Sequence, residues 1–250
     1  MTIGEWLTRR WSNAVGPRRH GFPTSSNGAS SFHLRWLGLP VDQPLVEASV
    51  SLEIVVPPAV PHLYFWALQA SFVNGTRPAG AGHLGLQWYP AHPGGTAVNW
   101  GGYDAAGTEL GGTVPALPSA TGNPNTRDFS WQPGRPYRLT IRPGLEPGMW
   151  EGLIDGQVVR GLQGGGTALA DVMVWSEVFA QCDDPSVVVR WSNFAVRTAT
   201  GTVHPSQLAV SYQSRFDGGC SNTSVHVAGG VAEQVTNVDR RTSPGAVLNC

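Results

Sequence analysis

In the segment spanning residues 174–180, Trp175, Glu177 and Phe179 alternate with Val174, Ser176 and Val178. An extended chain puts the first three on one face. A carboxyl flanked by two aromatic rings loses solvation, which raises its pKa and suits it to general acid chemistry. With a second carboxylate opposite, such an acid cleaves glycosidic bonds. Glu151 and Asp155 offer that second group, and Asp183 and Asp184 are further acids of the same region. A plainer role for Glu177 is an ion pair with Arg190 near the sheet surface, since structural pairs perturb pKa values too.

The aromatic residues carry a second signal. The chain of 250 residues holds 10 Trp and 5 Tyr. A flat indole stacks on the apolar C–H face of a sugar ring while amides and carboxylates bind the hydroxyls. Trp66, Gln87, Tyr89, Trp100 and Trp175 are the set that would line one concave face with Glu177. The competing use of any one Trp is to fill a core. His33, His62, His83, His92 and His204 lack metal-ligand spacing, so neither a metal nor a cofactor is expected. Asp183-Asp184 reads as a loop, because calcium needs more oxygen ligands than these supply. A G-x-S-x-G nucleophile turn is absent. Asn74-Gly75-Thr76 and Asn222-Thr223-Ser224 fit the glycosylation sequon.

Composition narrows the partners. Charged residues make up 13% of the chain, about half the usual share. All 16 basic residues are Arg, and the net charge is −1. Nothing in this balance draws nucleic acid or an anionic membrane, and no apolar run reaches membrane-spanning length. The partner it favours is a polysaccharide or glycan; oligomeric state is not legible. Cys220 and Cys250 bracket a polar segment and offer one disulfide, with Cys182 as a buried thiol, although spacing alone leaves connectivity open. A disulfide favours an extracellular setting, even though residues 1–21 lack the apolar stretch of a signal peptide.

The elements that must position these residues are strands. There are 32 Gly and 20 Pro to punctuate turns, and low charge argues against helical surfaces. Val46, Ala48, Val50, Leu52, Ile54 and Val56 alternate with Ser49, Ser51 and Glu53, the mark of a half-buried strand. Residues 63–73 are apolar on both faces, as in a central strand. Leu84, Leu86 and Trp88 oppose His83, Gln87 and Tyr89. Asp155-Gly156 predicts a tight hairpin between 150–154 and 157–162. Ten to twelve short strands are expected between 31 and 198, with no βα alternation. Residues 1–30 read as an N-terminal segment and linker, with helical turns over 5–11. Residues 31–198 form the β-sandwich, and 199–250 a small C-terminal extension with a strand at 207–213.

The stretches Tyr64-Phe65-Trp66-Ala67-Leu68-Gln69, Gly82-His83-Leu84-Gly85-Leu86-Gln87 and Trp150-Glu151-Gly152-Leu153-Ile154-Asp155-Gly156, with residues 187–194, resemble the concanavalin A-like and laminin-G-like sandwiches. The resemblance covers about residues 31–198 and is similar to bacterial secreted proteins of unknown function. It implies an all-β, two-sheet antiparallel jelly roll. The E-[IL]-D-x-x-E strand of the β-glucanases of this fold is missing, as are the R-x-E-L-R and Q-[IV]-H strands of its alginate lyases. Fold does not fix function, so three readings stand. The leading one is a carbohydrate-binding, lectin-like sandwich. The others are a glycan-active hydrolase or lyase using Glu177 with Glu151 or Asp155, and a structural or partner-binding domain. Whether the protein is an enzyme stays open at this point.

Overall fold

The computed structural model describes residues 18–118 and 122–250. The helical turns expected over 5–11 lie outside these residues. The chain runs through β1 (Ser30–Leu37), β2 (Glu47–Val56), β3 (Tyr64–Asn74), β4 (Arg77–Trp88), β5 (Thr96–Asp104) and β6 (Thr126–Asp128). Then follow β7 (Pro136–Pro143), β8 (Met149–Ile154), β9 (Gln157–Gln163), β10 (Ala168–Val178) and β11 (Val188–Arg197). The last five are β12 (Thr202–Val203), β13 (Gln207–Tyr212), β14 (Thr223–Ala228), β15 (Val231–Thr236) and β16 (Val247–Asn249). There is no α-helix among the described residues.

These strands make two antiparallel sheets packed as a sandwich. The first runs β16-β13-β1-β10-β3-β4-β5-β6, and the second β14-β15-β11-β2-β7-β8-β9 with β12 beside β11. Residues beyond 198 contribute to both sheets: β13 pairs with β1, and β15 with β11.

Alternation sorts the side chains. On β2, Ala48, Val50, Leu52 and Ile54 are fully buried. On β3, Tyr64, Trp66, Leu68 and Phe72 point into the same core, where Trp100, Trp150 and Trp191 join them. The Trp150-to-Gly156 segment has a packing reason for its first glycine. A Cβ on Gly152 would lie 2.6 Å from the Trp100 indole of the opposite sheet, so only glycine lets that ring lie flat against β8. Asp155 and Gly156 take positive φ of 48° and 82°, as a primed two-residue turn requires. One polar tie crosses the core: buried Gln234 accepts from Ser176 Oγ at 2.6 Å and from Trp191 Nε1 at 2.8 Å. Left unpaired, each of these groups would cost about 1–3 kcal/mol.

A bulge in β10 decides what faces outward downstream of it. Pairing with β3 shifts between Ala170 and Met173, and Asp171 adopts φ 46°. Leu169, Val172 and Val174 all remain in the core despite the broken period. The extra residue re-aims the chain and leaves Met173, Trp175 and Glu177 on the outer face.

Candidate functional site

The outer face of the first sheet carries three cross-strand rows. One reads Ser31, Glu177, Phe65, Gln87, Ala97 and Asp128 across β1, β10, β3, β4, β5 and β6. The next reads His33, Trp175, Ala67, Gly85, Asn99 and Thr126. The third holds Arg35, Met173, Gln69 and His83. Glu177 and Gln87 therefore flank Phe65, each one strand away. Strand spacing sets their Cα atoms roughly 10 Å apart. Phe65 turns its ring toward Trp175, at 4.9 Å between centroids, and toward His83, at 5.7 Å.

Glu177 is half-buried. Its Oε1 accepts from Asn27 Nδ2 at 3.2 Å and from Ser31 Oγ at 3.4 Å, and neither donor reaches Oε2. Burial pushes the carboxyl above its ordinary value of 4.5, and the two hydrogen bonds oppose that rise. The ion pair with Arg190 does not form, because Arg190 Nε donates to Glu233 at 2.8 Å on the other sheet. On the same face burial disfavours the charged imidazoles: it lowers His33 and pushes His83 down to about 4.

Gln87 is buried at 8% exposure. Its Oε1 lies 3.1 Å from His92 Nε2. A carboxamide oxygen only accepts, so His92 carries its proton on Nε2. That bond fixes the amide with its NH2 group as the free end. The Gln87 carbonyl also accepts from Trp131 Nε1 at 2.9 Å, which ties β4 to the core. Trp175 is anchored likewise, its Nε1 donating to Gln69 Oε1 at 2.9 Å.

The structure brings together Glu177, Trp175 and Gln87 and separates the rest of the expected set. Trp66 and Trp100 sit in the inter-sheet core, at 2% and 0% exposure, because their strands turn those positions inward with Tyr64, Leu68 and Val98. Tyr89 is exposed beyond the end of β4, edge-on to His92 at 5.6 Å. Glu151 lies on the second sheet, paired with Arg142 at 3.0 Å. Asp155 holds the β8–β9 turn: it meets Arg135 at 2.9 Å and accepts the Arg138 N–H at 2.8 Å. Neither acid faces Glu177. Asp128 shares its row but stands four strands away, roughly 19 Å by strand spacing.

The disulfide also differs from the pairing the spacing offered. Cys182 joins Cys220, and Cys250 is free and exposed. The segment from His20 to Ser30 explains the choice. Cys182 N–H donates to the Gly21 carbonyl and Cys220 N–H to Ser30 Oγ, at 2.9 and 2.8 Å. Asp183 accepts the Gly21 N–H at 2.8 Å, and Thr24 N–H donates to the Gly218 carbonyl at 2.9 Å. The bridge thus clamps the segment that carries Asn27 onto Glu177. Asn222 of the second sequon is buried, its amide bonded to the Cys182 carbonyl. Asn27, Ser31, Asn99 and Asp128 belong to this face yet have no motif of their own. Only the cross-strand register reveals them.

No protein-family model matches the chain, and no curated protein matches it. Among solved structures it is similar in fold to concanavalin A-like β-sandwich proteins. One is SCP-B, a member of the Eqolisin family of peptidases in a complex with the tripeptide Ala-Ile-His. Identity is 9% and the TM-score 0.44, covering 84% of this chain and 98% of that one. Another is scytalido-glutamic peptidase with a transition state analog inhibitor, at 10% identity and TM-score 0.43, covering 89% and 100%. A third is the carbohydrate binding module CBM66 from Bacillus subtilis, at 8% identity and TM-score 0.34, covering 60% and 73%.

Proposed function

We propose that the protein is a hydrolase of acyl bonds, amides foremost, working in mild acid with Glu177 and Gln87 as its catalytic pair. The carrying observation is their place on one row, flanking Phe65, each held at one end and free at the other. A glycosidase needs two carboxyl groups about 5–9.5 Å apart, and the acids nearest in kind lie on the other sheet or four strands off. One carboxyl and one carboxamide instead match acyl hydrolysis. Glu177 takes a proton from water as the water oxygen bonds to the carbonyl carbon. The carbonyl oxygen gains negative charge and meets the Gln87 NH2 group. The carbon–nitrogen bond then breaks as Glu177 returns the proton to the leaving amine. A carboxyl raised by burial is a stronger base toward the water and keeps its proton to a higher pH than an ordinary one.

Incubation with casein between pH 3 and 7, followed by mass spectrometry, tests this. Wild type is expected to release peptides and Glu177→Gln none. Intact casein at every pH with the wild-type protein would sink the reading.

Non-catalytic glycan binding is a second reading, favoured by the amides Gln69 and Gln87 on the face that carries Trp175. Tryptophan fluorescence titrated with soluble polysaccharides decides it: no change across a broad panel removes it. The Cys182–Cys220 bridge suits an oxidising compartment under either reading.

A further inference from the structure

The segment 19–29 leads into β1 and reaches Glu177 through the side chain of Asn27. The Ala29 N–H donates to Asn27 Oδ1 at 3.2 Å. That bond fixes the amide and leaves Nδ2 to donate to Glu177 Oε1. Two loops hold the segment. From the β10–β11 loop, the Cys182 N–H donates to the Gly21 carbonyl, and the Asp183 carboxylate accepts the Gly21 N–H and meets His20 Nδ1 at 3.0 Å. From the β13–β14 loop, the Gly218 carbonyl accepts the Thr24 N–H, and the Gly219 carbonyl accepts from Arg19 Nη1 at 3.2 Å. The fit is close, for a Cβ on Gly218 would collide with the Ser25 backbone. The Cys182–Cys220 bridge ties these two loops together covalently. Ser31, the other donor to Glu177, belongs to β1 and is held by the sheet instead.

We infer that segment 19–29 is a redox-set strap: closing the Cys182–Cys220 bridge seats Asn27 on Glu177, where Asn27 acts as a positioning residue. A donor on Oε1 holds the carboxyl in one orientation and keeps Oε2 as its free end. The bridge closes by exchange with the disulfide of a small thiol or of an oxidoreductase. One cysteine thiolate attacks that disulfide and expels a thiolate. The second attacks the mixed disulfide and expels the other, so that two electrons and two protons pass to the oxidant. Cys182 and Cys220 are 4% and 3% exposed, which shields the closed bridge from attacking thiols. The strap is therefore set once, when the chain meets an oxidising compartment, and stays loose in a reducing one. The inference rests on the hydrolase reading for what the positioned carboxyl does, but the seating of Asn27 needs no turnover.

Titration of Glu177, followed by carboxyl-carbon NMR on the full chain and assigned with Glu177→Gln, tests this. Asn27→Asp puts a second carboxyl against Oε1. Two carboxyls in contact repel each other when both ionise, so the pair is expected to lose its last proton at a higher pH than Glu177 does in the wild type. In the bridgeless Cys182→Ala/Cys220→Ala protein, adding Asn27→Asp is expected to leave the titration of Glu177 where it was. A thermal melt shows whether that protein folds. If it does not, Gly218→Ala decides the seat of the strap with the bridge intact, since its methyl pushes Ser25 away and should shrink the rise. No rise with the bridge closed, an equal rise with it open, or an undiminished rise in Gly218→Ala overturns the strap. None of these results depends on casein cleavage, whose absence sinks the hydrolase reading alone. Where casein is cleaved, opening the bridge is expected to lower kcat about tenfold or more, and an unchanged kcat removes Asn27 from the positioning of Glu177.

Discussion

The carboxylates of the second sheet's outer face and Glu177 on the first are used in opposite ways, although the first sheet also pairs Asp171 with Arg35 at 3.1 Å. On the second sheet, carboxylates meet guanidinium groups: Glu47 with Arg197 at 3.1 Å, Glu151 with Arg142 at 3.0 Å and Glu233 with Arg190 at 2.8 Å. The β8–β9 turn repeats the arrangement with Asp155 and Arg135. On the first sheet, Glu177 meets only an amide and a hydroxyl. It is surrounded by rings, and burial lifts its pKa. The first kind of carboxylate is solvated surface held in cross-strand pairs, each worth little to stability. The second carries a desolvation that its two hydrogen bonds only partly offset, as the proposed chemistry requires of it. The contrast also explains why Glu151 and Asp155, which looked like partners for Glu177 in the sequence, make no site with it.

The sharpest way to break this contrast is to remove one carboxylate of each kind. Glu177→Gln keeps the shape and both hydrogen-bond partners of the side chain but cannot transfer a proton. Casein cleavage is expected to fall at least a thousandfold, about 4 kcal/mol of transition-state stabilisation. Gln87→Leu comes next, with a loss in kcat of about 10²–10³, the usual effect of deleting one oxyanion donor. KM should change far less, because the amide contacts charge that develops only in the transition state. A KM effect alone, with kcat preserved, would mean that Gln87 only binds.

Much of this face was legible in the sequence, and its gaps have physical causes. Alternation placed Trp175 with Glu177, and Leu84 and Leu86 opposite Gln87, because a strand's side-chain period is two. The Asp155-Gly156 hairpin followed from its turn chemistry. Alternation does not say which face goes inward when both are apolar. On β3, Trp66 and Phe65 are both large, and Trp66 went to the core while Phe65 lines the site. Trp100 is equally ambiguous by alternation, and the room that takes it into the core comes from Gly152 on the opposite sheet. Rows depend on register between strands far apart in sequence, so Asn27, Asn99 and Asp128 gave no local signal. The Cys182–Cys220 bridge was hidden for the same reason, since it is set by how residues 20–30 pack.

A smaller effect sharpens the comparison through stability. The raised pKa of Glu177 means that the folded protein keeps this proton where the unfolded chain has lost it. Stability therefore falls as pH rises from about 4.5, the ordinary value, through the higher folded value. Glu177→Gln does not titrate and lacks this slope. The Tm of the variant minus that of the wild type is expected to grow as pH rises from 4 to 7 and then level off. Other titrating groups, including His33 and His83, are common to both proteins and cancel in the difference. A flat difference across this range would show that the carboxyl is not desolvated.

The smallest effect is the control on the second sheet. Glu151→Gln removes one member of the pair with Arg142, whose side chain is 44% exposed. Water resolvates the guanidinium, so thermal unfolding should place the variant within about 0.5 kcal/mol of the wild type. Cleavage should be unchanged, because Glu151 is on the face turned away from Glu177. A large loss of cleavage in Glu151→Gln with its stability intact would erase the distinction between the two faces. It would also return a two-carboxylate mechanism to consideration.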